Sequence, residues 1–449
     1  MLIATISGYY CNNKMQADIL IIGAGASGLM AGMQLSRKGK KVLVLEARDR
    51  IGGRIHTITN RGFKQATELG AEFVHGKLPV TLALLKEAKI KPLDAVGDMW
   101  RYADGRFHKS EQFLVHYEVI IKKLNALKTD ITLDEFLTRY LSAKKYTETC
   151  SMLRNFAAGY DTADPSRFSA FAMRKELQSE DDDHQYRVNG GYCTMIGYLE
   201  SEIVKNGGIV SLSTIVKELQ WEQGMVKAIA ADGREFTAQK VIMALPLGVL
   251  QANKHDEGAI AFTPPIPERE HALQQMGMGN VIKLLLQFDE VFWEKQAIKK
   301  GAKADVKEMS YLFSTETIPT WWTQRPHTIP LLTGWLGGPA AENLKNADDE
   351  YILNLGLLSL SNIYDMPVAS LRAKLTAHQV VNWPADPFIR GSYSYATIFT
   401  NEARKLLAQP VQDTIYFTGE FMYDGPEMGT VEAALASGKE VADGIGSRG

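Results

Sequence analysis

Two short apolar runs flank a helical pattern near the start of the chain. The runs are DILII, residues 18–22, and VLVLE, residues 42–46. Continuous apolar runs of this length are typical of central parallel strands. Between them, LMAGMQLSRKGK, residues 29–40, places apolar side chains at helical spacing. The pattern therefore predicts a βαβ unit.

A second run, NVIKLLLQF, carries a lysine inside an otherwise apolar strand pattern, at residues 280–288. Side chains alternate between the two faces of a strand, so Lys283 shares a face with Val281, Leu285 and Gln287. A buried lysine must find a partner or lose its proton. Two interpretations stay open at this point. One is an edge strand whose lysine reaches water, and the other is a lysine aimed into a reaction site.

The remaining patterns predict a mixed architecture. Residues 105–185 contain apolar positions mainly at helical spacing, whereas residues 266–384 mix strands such as LLTGWLGG with helices such as DDEYILNLGLLSLSNIY. We find no internal repeat. Residues 1–14 precede the first convincing element and are predicted to be an extension that adds little to the fold.

Composition narrows the class of protein. The chain has 449 residues, a net charge of -2, 45% hydrophobic and 23% charged residues, as in a globular enzyme of two or three domains. The balanced charge argues against a nucleic-acid or membrane-surface partner. Three scattered cysteines fit a reducing, cytoplasmic compartment and give no metal-ligand spacing. No segment is apolar over the length that spans a membrane.

The turn between the first strand and helix is a dinucleotide-binding fingerprint. GAGASG places Gly23, Gly25 and Gly28 in the pattern G-x-G-x-x-G, and Glu46 ends the second strand. These glycines suit a tight turn, close approach of a pyrophosphate and close helix–strand packing, while the acid suits the ribose hydroxyls. The fingerprint alone does not distinguish NAD from FAD.

The following segment, EARDRIGGRIHT, adds arginines around a glycine pair, and with it the sequence resembles a known family. The combination GAGASGL…VLEARDRIGGR is similar to the opening of the FAD-dependent amine oxidase superfamily. Further segments resemble that family in the same order along nearly the whole chain from about residue 15: ELGAEFVHG, FAAGYDTADPSRFSA, YRVNGGYCTMIGYLESEI, NVIKLLLQFDEVFWE, NWPADPFIRGSYSY and IYFTGEFMYDGPEMGTVEAALASGKEVADGI.

The resemblance implies an α/β fold of the amine oxidase type. A Rossmann-like FAD-binding domain of βαβ type would be assembled from residues 15–85, 190–265 and 385–449. An α+β substrate-binding domain would comprise residues 86–189 and 266–384.

The resemblance also implies which residues hold FAD. Monoamine oxidases attach the flavin to a cysteine at the position of Ser392, so FAD is expected to be noncovalent here. Backbone groups at Val216 would hold the adenine, and Glu420 would lie near the ribityl–pyrophosphate portion. The expected cofactor-binding set is Gly23, Gly25, Ala26, Ser27, Gly28, Glu46, Ala47, Arg48, Gly53, Arg54, Gly70, Ala71, Glu72, Val216, Trp383, Gly419, Glu420, Gly429, Thr430 and Val431.

The implied reaction is hydride transfer from the α-carbon of a neutral amine to flavin N5, giving an imine, after which O2 reoxidises the flavin and yields H2O2. In the family, the lysine matching Lys283 holds a water beside N5. Tyr393 matches one wall of an aromatic cage, and Trp383 belongs to the same segment. The second wall of that cage is expected at Thr430, where monoamine oxidases have tyrosine. His75 is a candidate for amine contact or proton relay, or a histidine bonded to backbone.

Substrate class depends on residues around the third segment. Amino-acid oxidases carry an arginine there, whereas this chain has Phe73. Glu72 is expected either to pair with a cationic substrate tail or to be solvated. Since no acidic cluster is evident in the sequence, a monoamine is favoured over a polyamine. The alternatives are an L-amino-acid oxidase, a flavin desaturase or dehydrogenase, an NAD-dependent enzyme and a nonenzymatic scaffold. A homodimer is compatible with the sequence.

Overall fold

The computed structural model describes residues 15–59, 61–109, 115–178, 184–299, 308–425 and 427–446. The predicted extension, residues 1–14, lies outside these ranges. The strands are β1 Met15–Ile22, β2 Val42–Leu45, β3 Thr57–Ile58, β4 Thr67–Glu68, β5 Val74–His75, β6 Pro92–Asp94, β7 Asp98–Ala103, β8 Arg106–Lys109, β9 Gln185–Val188, β10 Ile209–Ser211, β11 Val216–Glu222, β12 Met225–Ala230, β13 Glu235–Met243, β14 Ala261–Thr263, β15 Gly277–Met278, β16 Val281–Phe288, β17 Met309–Phe313, β18 Thr320–Trp322, β19 Leu331–Gly337, β20 Leu375–Asn382, β21 Ser394–Tyr395 and β22 Ile415–Phe417.

The helices occupy most of the chain between the sheets. They are α1 Ala26–Arg37, α2 Pro79–Glu87, α3 Tyr117–Asn125, α4 Leu133–Tyr140, α5 Thr147–Gly159, α6 Ala170–Leu177, α7 Cys193–Lys205, α8 Leu247–Leu250, α9 Pro267–Gln275, α10 Phe292–Lys299, α11 Pro339–Asn343, α12 Asp349–Tyr364, α13 Val368–Lys374, α14 Thr400–Leu407 and α15 Val431–Gly446. Short 3-10 turns occur at Lys144–Tyr146, Trp383–Ala385 and Glu420–Met422. None of the helices in the described ranges is long and apolar enough to cross a membrane.

An eight-stranded sheet contains the predicted βαβ unit. Its order is β10-β2-β1-β13-β12-β11-β14, with β22 also pairing with β13. β1 is parallel to both β2 and β13, and buried apolar side chains lie on both of its faces. Because a doubly covered parallel strand has no solvent face, its sequence is continuously apolar rather than alternating. The expected Rossmann-like α/β fold is therefore confirmed.

A seven-stranded sheet contains Lys283. Its order is β20-β16-β19-β18-β17-β7-β8, and β16 lies between β20 and β19. One face of β16 packs into a core with α12, through Ile282, Leu284 and Leu286. The edge-strand interpretation is wrong, because β16 is paired on both sides and Lys283 is 0% exposed.

The strands of the two large sheets come from different parts of the chain. The strands of the eight-stranded sheet fall within residues 15–85, 190–265 and 385–449, and those of the seven-stranded sheet fall within residues 86–189 and 266–384. Four helices, α3 to α6, form a separate apolar cluster in the region predicted to be helical. We propose that the two sheets correspond to the FAD-binding and substrate-binding domains with those boundaries.

Candidate active site

A cavity of about 1590 Å³ extends from the glycine-rich turn after β1 to the seven-stranded sheet. Its wall includes every residue proposed from the sequence except Gly28. Gly28 lies behind that wall, since a Cβ there would come within 2.1 Å of the carbonyl oxygen of Gly23. The proposed residues are thus brought together from segments that are far apart in the sequence.

The glycine-rich turn has the geometry of an anion site. Gly23 has a φ of 107°, and a Cβ there would come within 2.5 Å of the Ala244 carbonyl oxygen. By contrast, a Cβ on Gly25 would meet no protein atom within 4 Å, so the backbone here faces open space. Gly25 precedes α1, whose first turn carries no side-chain cap. Uncapped N–H groups and the helix dipole favour a phosphate at such a position.

Glu46 and Arg48 lie at the end of β2 on the same wall. The Glu46 carboxylate accepts hydrogen bonds from the backbone N–H groups of Ala24, at 2.8 Å, and Arg48, at 3.0 Å. Burial raises the pKa of Glu46. The Arg48 guanidinium pairs with Asp386, yet its Nε is buried and has no hydrogen-bond partner among the described residues. An unpartnered buried donor beside an open anion site fits a negatively charged ligand.

The C-terminal segments also contribute to the wall of the cavity. Arg54 pairs with Glu420 at 2.7 Å, and Glu420 also accepts a hydrogen bond from the Ser394 hydroxyl. Thr430 caps α15, because its Oγ1 accepts a hydrogen bond from the Ala433 N–H at 3.2 Å. The position where monoamine oxidases have tyrosine therefore has a structural role in this chain.

Lys283 is the centre of a buried polar cluster. Its ammonium donates to the carbonyl oxygens of Glu68, at 2.7 Å, and Gly70, at 3.1 Å, and to Glu72 Oε2, at 2.6 Å. Glu72 also pairs with Arg187, which packs over the Phe73 ring at 4.5 Å. Burial alone would raise the pKa of Glu72, but the charges and hydrogen bonds of Lys283 and Arg187 lower it to about 2.

These contacts correct the expectation for Glu72. Its side chain is neither solvated nor free for a substrate cation, because it is 6% exposed and already pairs with two cations. Sequence reasoning missed Arg187, which lies on β9, far from Glu72 in the chain. The signal available was YRV, an arginine within a strand pattern.

An aromatic wall faces the same cavity and is larger than the sequence suggested. Tyr393 stacks with Trp335 at a centroid separation of 6.5 Å, and Trp335 lies 5.7 Å from Trp322. The Tyr393 hydroxyl donates to the carbonyl oxygen of Tyr160. Trp335 and Trp322 were missed, although Trp335 lies directly opposite Lys283 in the register of β19 and β16.

Trp383 and His75 occupy different positions in the cavity wall. Trp383 is 5% exposed and packs with Val281 and Ile389. His75 is half-buried, with its ring 5.9 Å from Phe73 and 6.5 Å from Tyr160. The structure therefore places His75 beside the aromatic wall and Trp383 deeper in the fold.

Two carboxyl groups that the sequence analysis did not connect also meet at the cavity. Asp161 follows α5 and Glu176 lies on α6, and their side chains are hydrogen-bonded to each other. Burial and the neighbouring Glu176 raise the pKa of Asp161 well above its usual range. Each of two carboxyl groups at short range disfavours the ionised form of the other. This acidic pair results from the packing of helices, and no local sequence motif indicates it.

Comparison with known proteins identifies the family. The model of the flavin containing amine oxidoreductase family matches residues 26–116 and 120–446. The chain belongs to this family. Its cofactor is therefore FAD, the cofactor that the resemblance predicted.

Several known proteins are similar to this chain along most of its length. It is 27% identical over 456 residues to "Lysine-specific histone demethylase 1 homolog 2" of Oryza sativa subsp. japonica, covering 96% of this chain and 57% of the relative. It is 26% identical over 452 residues to "Polyamine oxidase 2" of Arabidopsis thaliana, covering 95% of this chain and 87% of the relative. The chain thus spans between half and three-fifths of the histone demethylase named here.

Solved structures show the same fold. Putrescine oxidase with bound putrescine superposes with a TM-score of 0.78 at 21% identity, covering 97% of this chain and 100% of that one. Cyclohexylamine oxidase from Brevibacterium oxydans IH-35A gives a TM-score of 0.74 at 20% identity, covering 96% of this chain and 99% of that one.

The residues present fit FAD. Gly25, the first turn of α1 and Arg48 offer an open, electropositive surface for the pyrophosphate. Ser392 replaces the cysteine of monoamine oxidases, and neither Cys150 nor Cys193 lines the cavity. The cofactor is accordingly noncovalent. When bound, FAD supplies the two-electron acceptor, and the protein supplies binding, orientation and charge. The described residues contain no cluster of side chains able to hold a metal ion.

Proposed function

We propose that this amine oxidoreductase oxidises the carbon–nitrogen bond of an amine that carries a second positive charge, such as a diamine or polyamine. The observation that carries the proposal is the Asp161–Glu176 pair at the cavity. The sequence argument for a monoamine depended on the absence of an acidic cluster, and this pair removes that premise. The similarity to a polyamine oxidase and to putrescine oxidase supports the same substrate class.

The position of the pair supports a role in holding the end of the substrate that does not react. Asp161 lies between Tyr160, whose carbonyl accepts the Tyr393 hydroxyl, and Thr162, whose hydroxyl is 2.8 Å from that of Ser392. A distal ammonium would bind between the two carboxyl groups and stabilise their charged form. A charge-assisted hydrogen bond of this kind is stronger than a neutral one.

The aromatic wall supports a complementary role at the reacting end. Trp322, Trp335 and Tyr393 line the cavity and give this part of its wall an apolar surface. An amine in an apolar environment loses its proton more readily than in water, because burial disfavours the charged form. The wall therefore favours the neutral amine, which is the form able to give up a hydride.

The two remaining amine classes have less support. Arg187 lies against Phe73, but its guanidinium is already bound to Glu72, so it is a poor clamp for the carboxylate of an L-amino acid. A monoamine is the second candidate, since Tyr393 and Trp335 could hold it without the carboxyl pair. Reoxidation by O2 with release of H2O2, a cytoplasmic location, the lack of a nucleic-acid partner and a homodimer are also part of this proposal, on the evidence of sequence and resemblance.

The test compares substrates that differ by one charge. The purified protein is mixed anaerobically with 1,4-diaminobutane, butylamine, spermidine, L-amino acids and a methylated lysine peptide, and bleaching of the flavin absorbance is followed. We expect the diamine to reduce the flavin at lower concentration than butylamine. Asp161→Asn should weaken binding of the diamine by about tenfold or more while leaving binding of butylamine unchanged.

Glu268→Gln is the matched control, because Glu268 is a glutamate with an 81% exposed side chain that does not line the cavity. If Asp161→Asn weakened binding of the diamine and of butylamine equally, the proposed contact would be contradicted. Bleaching by butylamine alone would establish the monoamine alternative, and failure of every amine in a protein that binds FAD would argue for a desaturase or dehydrogenase.

A further inference from the structure

The end of α5 holds two side chains of the aromatic wall. The last carbonyl groups of a helix have no partner within the helix itself. Here the Gly159 carbonyl oxygen accepts a hydrogen bond from Trp335 Nε1 at 2.7 Å, and the next carbonyl oxygen, that of Tyr160, accepts one from the Tyr393 hydroxyl. Two consecutive backbone groups therefore set where both rings lie in the cavity.

Thr162 follows this helix in a conformation that threonine rarely adopts. The Ala163 N–H donates to the Ala157 carbonyl oxygen at 2.9 Å, and the residue before it, Thr162, has a φ of 53°. Helix ends closed in this way usually have glycine at the left-handed position, because a Cβ is unfavourable there. A β-branched residue at positive φ is an outlier, and strain of this kind is found mainly at functional sites. We therefore expect the Thr162 side chain to have a task that glycine cannot perform.

The Thr162 hydroxyl contacts two residues of the cavity wall, although Thr162 itself does not line the cavity. Its side chain is buried and is hydrogen-bonded to the Ser392 hydroxyl, at 2.8 Å, and to the Tyr393 side chain. A hydroxyl group has one hydrogen and two lone pairs, so Thr162 can accept from Ser392 and donate to Tyr393. Tyr393 in turn donates to the Tyr160 carbonyl oxygen. The result is a continuous chain of hydrogen bonds that ends at the carbonyl after α5.

The surroundings keep these hydrogen bonds in place. Burial and the neighbouring Asp161 carboxyl group raise the pKa of Tyr393 well above its usual range, so its hydroxyl stays protonated and remains a donor. Gly279 packs directly against Thr162, since a Cβ on this glycine would come within 1.9 Å of the Thr162 Oγ1. The Gly279 N–H also donates to the Tyr393 carbonyl oxygen at 2.8 Å. Three segments of the chain thus meet around one threonine hydroxyl.

We propose that Thr162 is a positioning residue for the reacting end of the amine, because its hydroxyl fixes the orientation of the Tyr393 ring against which the amine lies. The proposal rests on the function proposed above in one respect, the place of the amine beside Tyr393. It does not depend on the number of charges that the amine carries. Since hydride transfer requires a close and well-oriented approach, a small change in the orientation of this ring lowers the rate of the reaction.

Substitutions that separate the hydroxyl group from the shape of the side chain test the proposal. Thr162→Val keeps the branched shape and removes the hydroxyl group, whereas Thr162→Ser keeps the hydroxyl group. The rate constant of flavin reduction and the amine concentration at half-saturation are measured anaerobically with butylamine and with 1,4-diaminobutane. We expect Thr162→Val to lower the rate constant by about tenfold or more for both amines, with a smaller change in half-saturation, and Thr162→Ser to keep most of the wild-type rate.

The same substitution in a Tyr393→Phe background identifies how the effect is transmitted. If Thr162 acts through the Tyr393 hydroxyl, Thr162→Val should cause no further loss once that hydroxyl is absent. Thr414→Val is the matched control, because Thr414 is 0% exposed and lies outside the cavity wall. Its hydroxyl also both accepts and donates, from the Gly224 N–H at 2.8 Å and to the Gln412 carbonyl oxygen at 2.9 Å. The rate constant of this control should match that of wild type.

Four outcomes would overturn the proposal. They are a wild-type rate in Thr162→Val, a rate in Thr162→Ser as low as that in Thr162→Val, a full further loss in the Tyr393→Phe background, and a loss confined to the diamine, which would place the effect at Asp161. If Thr162→Val does not fold, Thr162→Gly replaces it, because the left-handed backbone suits glycine, and an unchanged rate in that variant would refute the role of the hydroxyl. Failure of every amine to reduce the wild-type flavin would instead reject the proposed function, and this proposal with it.

Discussion

The glycine-rich turn and the Lys283 cluster both line one cavity but are built in different ways. In the turn, backbone N–H groups take part in contacts between residues close in sequence, such as the Ala24 N–H and the Glu46 carboxylate, 22 positions apart. In the cluster, charged side chains meet across long separations, such as 211 positions between Glu72 and Lys283. A ligand site made of local backbone is therefore visible as a motif, whereas a charge cluster becomes visible only when the sheets assemble.

The comparison also separates two kinds of energetic cost. A side chain added at a glycine of the turn would occupy space that a ligand or the neighbouring backbone requires. Substitutions in the cluster leave a buried charge without its partner, which is among the costliest changes that a protein interior can undergo. The following predictions test this difference, in order of decreasing expected effect.

Arg187→Met is expected to have the largest effect on stability. It leaves Glu72 with one cation instead of two and removes the bonds to Thr323 and Arg325. Breaking a buried pair by removing one partner costs about 3–5 kcal/mol in the free energy of unfolding. Chemical denaturation of the apoprotein measures this loss.

Arg154→Met is the control for that experiment. Arg154 pairs with Asp134 at 2.7 Å, but the two side chains are 44% and 39% exposed. A surface pair of this kind contributes about 0–1 kcal/mol. Similar losses in the two variants would mean that the buried cluster is no more important to stability than a surface ion pair.

Glu68→Gln should change the pH dependence of stability. Burial raises the pKa of Glu68 from 4.5 to about 7, so the folded state favours the protonated carboxyl group. The stability that it contributes is complete below pH 4.5 and is lost as the pH rises through about 7. Glutamine resembles the protonated form, so the variant should lack this loss and become more stable than wild type above neutral pH, by at most roughly 3 kcal/mol.

Unfolding free energies measured from acidic to alkaline pH decide this case, with Glu268→Gln as the exposed control. Parallel curves for wild type and Glu68→Gln would contradict the assignment. Glu72 provides an internal contrast, since its pKa is lowered to about 2 by Lys283 and Arg187, and its contribution is lost only in strong acid. The pKa values of two glutamates four positions apart are thus shifted in opposite directions within the same buried region.

Gly25→Ala is expected to affect the cofactor but not the folded chain. Gly25 has φ and ψ of -77° and 180°, which alanine adopts without strain, and its Cβ would meet no protein atom within 4 Å. The methyl group would occupy space that the FAD pyrophosphate requires. We expect FAD affinity to fall by about tenfold or more, which is about 1.4 kcal/mol, with the stability of the apoprotein unchanged or slightly increased.

Gly197→Ala is the matched control, because its Cβ also meets no atom within 4 Å but it lies within α7, outside the cavity wall. Titration of each apoprotein with FAD gives the comparison. Equal FAD affinities in the two variants would mean that the cofactor does not approach the backbone at Gly25.

Local patterns predicted the parts of the molecule that depend on local geometry. The βαβ unit, the strand around Lys283 and the long helix α12 follow from the spacing of apolar residues. The same reasoning interpreted Glu72 incorrectly and did not connect Asp161 with Glu176. Periodicity reports which face of an element is buried, but it does not report which charged group from another element lies against that face.

By itself, the sequence determined that β1, α1 and β2 would form a nucleotide-binding turn, because glycine spacing and apolar periodicity constrain the backbone within a few residues. It also predicted a strand around Lys283, but it left open whether that strand lies at a sheet edge. Only the tertiary structure decided that Glu72 and Arg187 would surround this lysine, that Trp322 and Trp335 would extend the aromatic wall, and that Asp161 would meet Glu176. Electrostatic partners are chosen by how sheets and helices pack, since Coulomb interactions depend on distance in space rather than on separation along the chain.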